Sequence, residues 1–490
     1  MDSQLKQKTA KGLLWGGVGN GTLQLLNLFF GIFLSRLLSP SDYGTIGALT
    51  LFSAAAGMFA DSGFVLAIVN KKQINDDDYN AVFWFNLITG TFFYCLLFAL
   101  APLIAQFYHQ PEMTALSRFL FLSFFLGCIS GAPTAYLFRN LMVKEKSTIM
   151  IIAIIISGTV GVICAYNGMG YWGLAVQTVL YSGINSLLIW LRCPWRPTLR
   201  INFAPICEMF GFGVRQLMTS LFTHINNNVF ALLLGRFYGM KLTGYFTQGN
   251  KWTTMGYSTL SGMTNSVGQP VLREASADPE RLRRVFRKLV SFIAFLSFPA
   301  MLGLALVAKE VIVLTISDKW LPCVPIMQIL CLWGAFMPIA TLYGNLFNSL
   351  GRPRIYMWCT IALGLVQLAC LIGSYPFGLY TMLVVYTTVN ILWLFVWQHY
   401  ARKHTGLRLR DVLGDILPYI LLAAATMAVT HLLTTLTLTA LPSLTHTFSL
   451  ILSLLLKILI AAALYTGTLY LTRSLILRES LAYLTHKHRS

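Results

Sequence analysis

LSRLLSPSDYG at residues 34–44 and LGRFYGMKLTG at residues 234–244 stand 200 residues apart, and Leu34, Arg36 and Gly44 of the first return as Leu234, Arg236 and Gly244 of the second. Each stretch closes one long apolar block and opens the next. A shift of 205 further on lays PTAYLFRNL (133–141) over PIATLYGNL (338–346), pairing Pro133, Ala135, Leu137, Asn140 and Leu141 with Pro338, Ala340, Leu342, Asn345 and Leu346. At that shift Tyr181 and Asn185 also meet Tyr386 and Asn390. The matches include Arg, Pro, Asn and Gly at equivalent block ends, the weak internal symmetry that parallel repeats leave in membrane transporters.

Working outward, apolar blocks fall near 12–35, 43–69, 81–105, 115–138, 148–166, 171–191, 209–234, 244–268, 288–308, 324–350, 356–374, 379–399, 418–440 and 448–472. Each is about the 20 residues that one helix needs to cross hydrocarbon. Of the 490 residues 56% are hydrophobic and only 11% charged, with a mean hydropathy of +0.67; a soluble domain carries about 25% charged residues. The expected fold class is therefore an all-α integral membrane protein of about fourteen transmembrane helices. Two six-helix lobes related by the parallel repeat occupy 1–200 and 201–408, and helices 13 and 14 with a tail occupy 409–490. Connectors are short, the longest running from about 269 to 287, which leaves no room for an extramembrane domain. The basic N-terminal MDSQLKQKTAKG runs directly into the first block without a cleavage site and reads as a retained first helix.

The net charge of +19 would point to nucleic acid in a soluble protein, but the basic residues lie between apolar blocks and form no patch. Of the 36 Lys and Arg, 27 fall on the side of the N-terminus, six on the other and three (Arg215, Lys251 and Lys457) inside helices. That bias puts both termini in the cytoplasm. The nine cysteines, six of them inside apolar blocks, form no CxxC pair and no zinc spacing, and read as small buried hydrophobes. No Gly-rich phosphate loop, HExxH or GxSxG occurs, so no ATPase, metalloprotease or serine hydrolase is expected, and no cofactor or metal.

Polar residues at helical spacing in a membrane helix face protein or water. In helix 1, Asn20, Gln24 and Asn27 share one face; in helix 7, Ser220, His224 and Asn227 are the same positions plus 200. Interhelical hydrogen bonding would explain each stripe alone; two matched stripes favour a shared central cavity. Asn226 and Asn228 flank the second. Helix 8 lines up Lys251, Thr254, Ser258, Ser261 and Asn265, and Arg215 lies inside the opposite end of helix 7. Either cation could snorkel, or both could hold an anionic headgroup, guanidinium as a bidentate phosphate partner and ammonium as a point charge. Asp61, read as the one acid clearly within a block, is a candidate coupling site or a counter-charge. Lys457, on appended helix 14, is expected to face lipid or snorkel.

RLLSPSDYGTIGAL (36–49), DSGF (61–64) followed by Lys71 and Lys72, VFWFNL (82–87), APLIAQFY (101–108) and LLLGRFYGMKLTGYFTQGNKW (232–252) together resemble the bacterial O-antigen and polysaccharide flippase family, in its colanic-acid-exporter-like branch. That family belongs to the multidrug, oligosaccharidyl-lipid and polysaccharide exporter superfamily. The likeness is strongest over 1–145 and thins after about 400. The resemblance implies alternating access by two lobes around a cavity. It implies an undecaprenyl-diphosphate-linked oligosaccharide moved from the cytoplasmic to the periplasmic leaflet of the bacterial inner membrane, coupled to protons or sodium and working beside glycan polymerase machinery. Relatives often carry an Asp where Asn228 stands, so acid-based coupling in helix 7 is not implied here. The rivals are a small-molecule or drug antiporter of the same fold, a lipid II flippase of the same superfamily, and a membrane glycan polymerase or ligase, which the short connectors disfavour.

Overall fold

In hydrocarbon a backbone N–H or C=O has no water to turn to, so apolar runs fold as helices that satisfy every group within their own segment. The computed structural model describes residues 3–61, 68, 71, 74–140, 142–200, 202–439, 446–472, 474 and 476, with side chains described outside 3–18, 20, 54–61, 208–217 and 219. The described residues form α1 (Ser3–Leu37), α2 (Pro40–Asp61), α3 (Asp76–Phe107), α4 (Met113–Ile129), α5 (Gly131–Arg139), α6 (Val143–Tyr166), α7 (Tyr171–Arg192) and α8 (Ala204–Phe237). They continue as α9 (Met240–Ala275), α10 (Pro279–Leu306), α11 (Ala308–Ile316), α12 (Cys323–Ser349), α13 (Pro353–Ser374), α14 (Leu379–Thr405), α15 (Leu409–Thr439) and α16 (His446–Leu471). The expected apolar blocks each fall on a long helix, the fourth on α4 and α5, which bend by 43° across Ser130. Among the described residues nine helices are long and apolar enough to cross a membrane, and the bent pair makes ten.

Contacts divide the chain into two compact units, residues 1–244 and 245–490. The boundary expected near 200 marks sequence similarity; by contacts α8 groups with the first unit because it packs along α2.

In the first unit α1 lies along α6, where the Phe30 ring fills the space over Gly158. Asp42 ties the starts of α2 and α7: its carboxylate accepts from the Ser39 amide (2.8 Å), the Ser39 hydroxyl (2.6 Å) and the Tyr171 amide (2.9 Å). At the other end of the unit, the Asn80 side chain donates to the Arg200 carbonyl (2.5 Å) and accepts from the Thr198 amide (2.9 Å). Trp84 donates to the Thr198 carbonyl (2.8 Å), so the strap between α7 and α8 is held by its backbone. The repeat is visible in one contact. A Cβ on Gly44 would overlap the carbonyl oxygen of Met240, and a Cβ on Gly244 would overlap that of Pro40. Met240 is Pro40 plus 200 and Gly244 is Gly44 plus 200, so the crossing of α2 with the first turn of α9 maps onto itself under the shift seen in the sequence. Only glycine allows that approach.

In the second unit α10 packs on α12 and α15, α12 on α14, and α15 on α16. Its core holds Phe286, Phe298, Trp320, Tyr343 and Phe347, all fully buried. Polar contacts fix the added pair α15–α16: Arg287 grips Asp415 through two hydrogen bonds of 2.7 and 2.9 Å. Lys457 lies 2.5 Å from Glu310 and also donates to the Leu306 carbonyl (3.2 Å), while Ser453 donates to the same Glu310 oxygen (2.8 Å). This corrects the expectation that Lys457 faces lipid or snorkels. The short helix α11, which hydropathy does not reveal, carries a carboxylate to meet it. Glu310 is a buried acid just outside the apolar blocks, where the reading of Asp61 does not reach.

Candidate functional site

Helix α9 is 36 residues long, about 54 Å at 1.5 Å per residue against ~30 Å of hydrocarbon. It is fully described yet does not qualify among the nine apolar spans, because one face is polar. Lys251, Thr254, Ser258, Ser261 and Asn265 follow one another at intervals of three and four residues, which places them on that face.

Lys251 is half-buried, and among the described residues no hydrogen bond or ion pair engages its ammonium. An unpaired cation inside a membrane helix costs about 2.5–3.5 kcal/mol on insertion scales. Further along the face, Thr254 donates to the Tyr257 hydroxyl (3.2 Å) and Ser258 to the Met255 carbonyl (3.3 Å). The buried Ser261 hydroxyl has no partner among the described residues. Asn265 accepts from Asn345 of α12 at 3.1 Å. The face thus offers a charge at one end and hydroxyl and amide groups along its length, with only its far end tied to a neighbouring helix.

The other expected residues lie in the first unit. On α1, Gln24 and Asn27 are exposed; Asn20 shares their helix, but its side chain lies outside the described residues. On α8, His224 and Asn227 are exposed, Ser220 is half-buried and Asn226 is buried. Asn228 donates to the His224 carbonyl at 2.9 Å. Arg215 sits in α8 and Asp61 ends α2, and the side chains of both lie outside the described residues. In both first-repeat and second-repeat helices, then, the described outer members of the matched stripes (Gln24, Asn27, His224 and Asn227) are open rather than packed into protein. That exposure leaves these four groups out of tight interhelical packing.

Sequence reasoning missed a buried amide pair, Gln367 of α13 donating to Asn390 of α14 at 2.8 Å, with the second oxygen-bearing group Thr387 close in sequence and without a partner among the described residues. Asn390 and Asn345 were both visible as repeat matches, but pattern alone does not say that they are interior. Among the described residues no three His, Cys, Asp or Glu side chains gather so as to hold a metal ion.

A family model described as polysaccharide biosynthesis protein matches residues 33–325. The chain belongs to this family. It is 26% identical over 358 residues, 72% of each protein, to the lipopolysaccharide biosynthesis protein WzxC of Escherichia coli (strain K12). To the teichuronic acid biosynthesis protein TuaB of Bacillus subtilis (strain 168) it is 22% identical over 391 residues, covering 79% of this chain and 81% of the relative. Among solved structures it is similar to the lipid II flippase MurJ in an inward closed conformation, with a TM-score of 0.73 at 14% identity, covering 93% of this chain and 99% of that one. It is also similar to an inward-facing multidrug resistance MATE family transporter of the MOP superfamily, with a TM-score of 0.63 at 17% identity over 78% of this chain and 94% of that one. At these identities the structural likeness is one of fold. Family membership and the apolar helices together make the chain a multi-pass integral membrane protein and bear out the resemblance read from its motifs.

Proposed function

We propose that this member of the polysaccharide biosynthesis family is a flippase: it carries a polyprenyl-diphosphate-linked oligosaccharide from the cytoplasmic to the outer leaflet by alternating access, and is not an enzyme. The observation that carries the reading is the polar face of α9, with an unpaired Lys251 in a helix that must lie at membrane depth. Relatives named for lipopolysaccharide and teichuronic acid biosynthesis, and a fold shared with a lipid II flippase, support the substrate class. A diphosphate-sugar head cannot cross hydrocarbon unaided, because buried charge costs many kcal/mol unless it is paired. Lys251 supplies one counter-charge and Arg215 the second, while the Ser, Thr, Asn, Gln and His groups of α1, α8 and α9 replace water around the sugar. The prenyl chain stays in lipid.

In this reading residues 1–200 and 201–408 are the two moving lobes and 409–490 an added pair of helices. The basic ends of the helices mark the cytoplasmic side of a bacterial inner membrane, with both termini inside. Proton or sodium coupling, with Asp61 as the candidate coupling acid, and hand-over to a glycan polymerase belong to the same proposal.

The test is mass spectrometry of lipids from cells that lack the chain but still initiate the glycan. An accumulated polyprenyl-diphosphate oligosaccharide, cleared by the wild type and not by Arg215→Ala with Lys251→Ala, is the expected result and names the sugar. An unchanged lipid pool with surface glycan intact would overturn it in favour of a small-molecule antiporter.

A further inference from the structure

On the face of α9 about a third of a turn from its polar stripe, Met263, Val267 and Gly268 form one wall of an apolar groove of about 100 Å³. Leu289, Phe292 and Leu296 of α10 form the other. Met263, Val267 and Phe292 are 54%, 52% and 40% exposed, so the groove is open along its rim. Its floor is set by Gly268, where a Cβ would press on Leu342 and on the Asn345 amide at 3.2 Å.

The α10 wall does not end with the groove. Arg281, Arg284, Lys288, Phe292 and Leu296 recur at intervals of three and four residues and share one face. Arg284 lies about 12 Å and Lys288 about 6 Å before Phe292 along the axis. Helical side chains lean toward the N-terminus of their helix, so both cationic heads reach away from the apolar groove toward the basic end of the unit. Arg281 is already balanced by Glu274, the last-turn acid of α9, at 2.7 Å; that pair joins the two helices at the mouth. Arg287 points elsewhere, to Asp415. Arg284 is exposed, and among the described residues nothing engages it. A cationic mouth followed directly by a narrow apolar slot is complementary to one kind of molecule, an anionic head on a thin hydrocarbon chain.

We infer that the α9–α10 groove is a docking site for the polyprenyl-phosphate portion of the lipid-linked substrate, with the phosphates against Arg284 and the first carbons of the prenyl chain between Val267 and Phe292. The inference rests on the flippase reading and adds to it where the substrate is first held: on the outer edge of α9, one face away from the polar stripe that accepts its head. The groove volume suits a short stretch of chain, so the remainder lies in the bilayer.

The experiment uses the full chain in phosphatidylcholine vesicles and a polyprenyl diphosphate carrying a diazirine near the head of its chain, with labelled peptides mapped by mass spectrometry. Labelling is expected on 260–268 and 289–296, competed by unlabelled polyprenyl diphosphate and not by phosphatidylglycerol. Arg284→Glu is expected to reduce it at least about fivefold, the effect of one basic residue near an anionic lipid surface. Val267→Trp, which fills the slot from an exposed position, should abolish it; Arg283→Glu, exposed and off the stripe, should leave it unchanged. Equal labelling by a diazirine phosphatidylglycerol, or insensitivity to Arg284→Glu and Val267→Trp, would reduce the groove to ordinary lipid contact and overturn the inference. Label confined to the Lys251 face would also overturn it while leaving the flippase reading intact. No specific label anywhere on the chain would remove both.

Discussion

Replacing Lys457 by methionine keeps a long unbranched side chain and removes its charge, which isolates the buried pair with Glu310. The two side chains are 10% and 6% exposed and 2.5 Å apart. One Glu310 oxygen also accepts from Ser453 at 2.8 Å; the other has no donor among the described residues. Without the ammonium, a buried carboxylate keeps a single hydroxyl partner. Breaking a buried pair from one side costs about 3–5 kcal/mol, whereas replacing both partners by apolar groups is close to neutral. Lys457→Met should therefore be strongly destabilising, and Glu310→Leu together with Lys457→Met should recover most of the loss, a coupling of several kcal/mol across 147 residues of sequence. Thermal unfolding of the purified full chain, followed by a thiol-reactive dye that reports exposure of Cys323, Cys331 and Cys359, gives the comparison, since all three are buried. The reasoning fails if Lys457→Met is as stable as the wild type, which would put the lysine against lipid headgroups. It fails equally if the double variant is no better than the single one.

The reciprocal glycine crossing makes a similar demand: Gly44→Ala and Gly244→Ala should each cost about 1–3 kcal/mol by forcing the helices apart. Their combination should cost less than the sum, because the separation is then shared; strict additivity in the same unfolding assay would refute the contact. Asn80→Ala removes two of the three bonds that hold the strap between α7 and α8, leaving that of Trp84, and strips the Thr198 amide of its acceptor, a loss of about 1–3 kcal/mol. Trypsin should then cut after Arg200 faster than in the wild type, and equal rates would show that the strap is held elsewhere. Lys251→Ala should abolish transport without lowering stability, since it removes an unpaired membrane cation worth about 2.5–3.5 kcal/mol of insertion cost; a folded variant that transports normally would take Lys251 out of the substrate path.

Much of the fold is legible in the sequence because hydrocarbon allows few structures. Apolar block length gave the helices, and the repeat paired Gly44 with Gly244, but that each presses on backbone four residues before the other came from the structure alone. The polar face of α9 was equally plain, since only helical spacing joins Lys251 to Asn265. Partners were not legible. A lysine in an apolar helix reads the same whether it faces lipid, water or a carboxylate, and the acid that answers Lys457 arrives on α11, too short to register as a span. The grip of Arg287 on Asp415 was hidden for the opposite reason: it sits in a run of cations whose plain reading is membrane orientation. The docking groove needed the side chains of α9 and α10 together, because neither helix alone shows a slot.

The most direct measurement of the central claim is leaflet transfer itself. The full chain, reconstituted into vesicles with a fluorescent polyprenyl-diphosphate oligosaccharide, should bring the inner-leaflet fraction within reach of an external quencher or glycosidase, and Lys251→Ala should leave that fraction protected. Equal protection with and without the wild-type chain, under imposed proton and sodium gradients of either direction, would contradict the claim that this protein flips lipid-linked sugars.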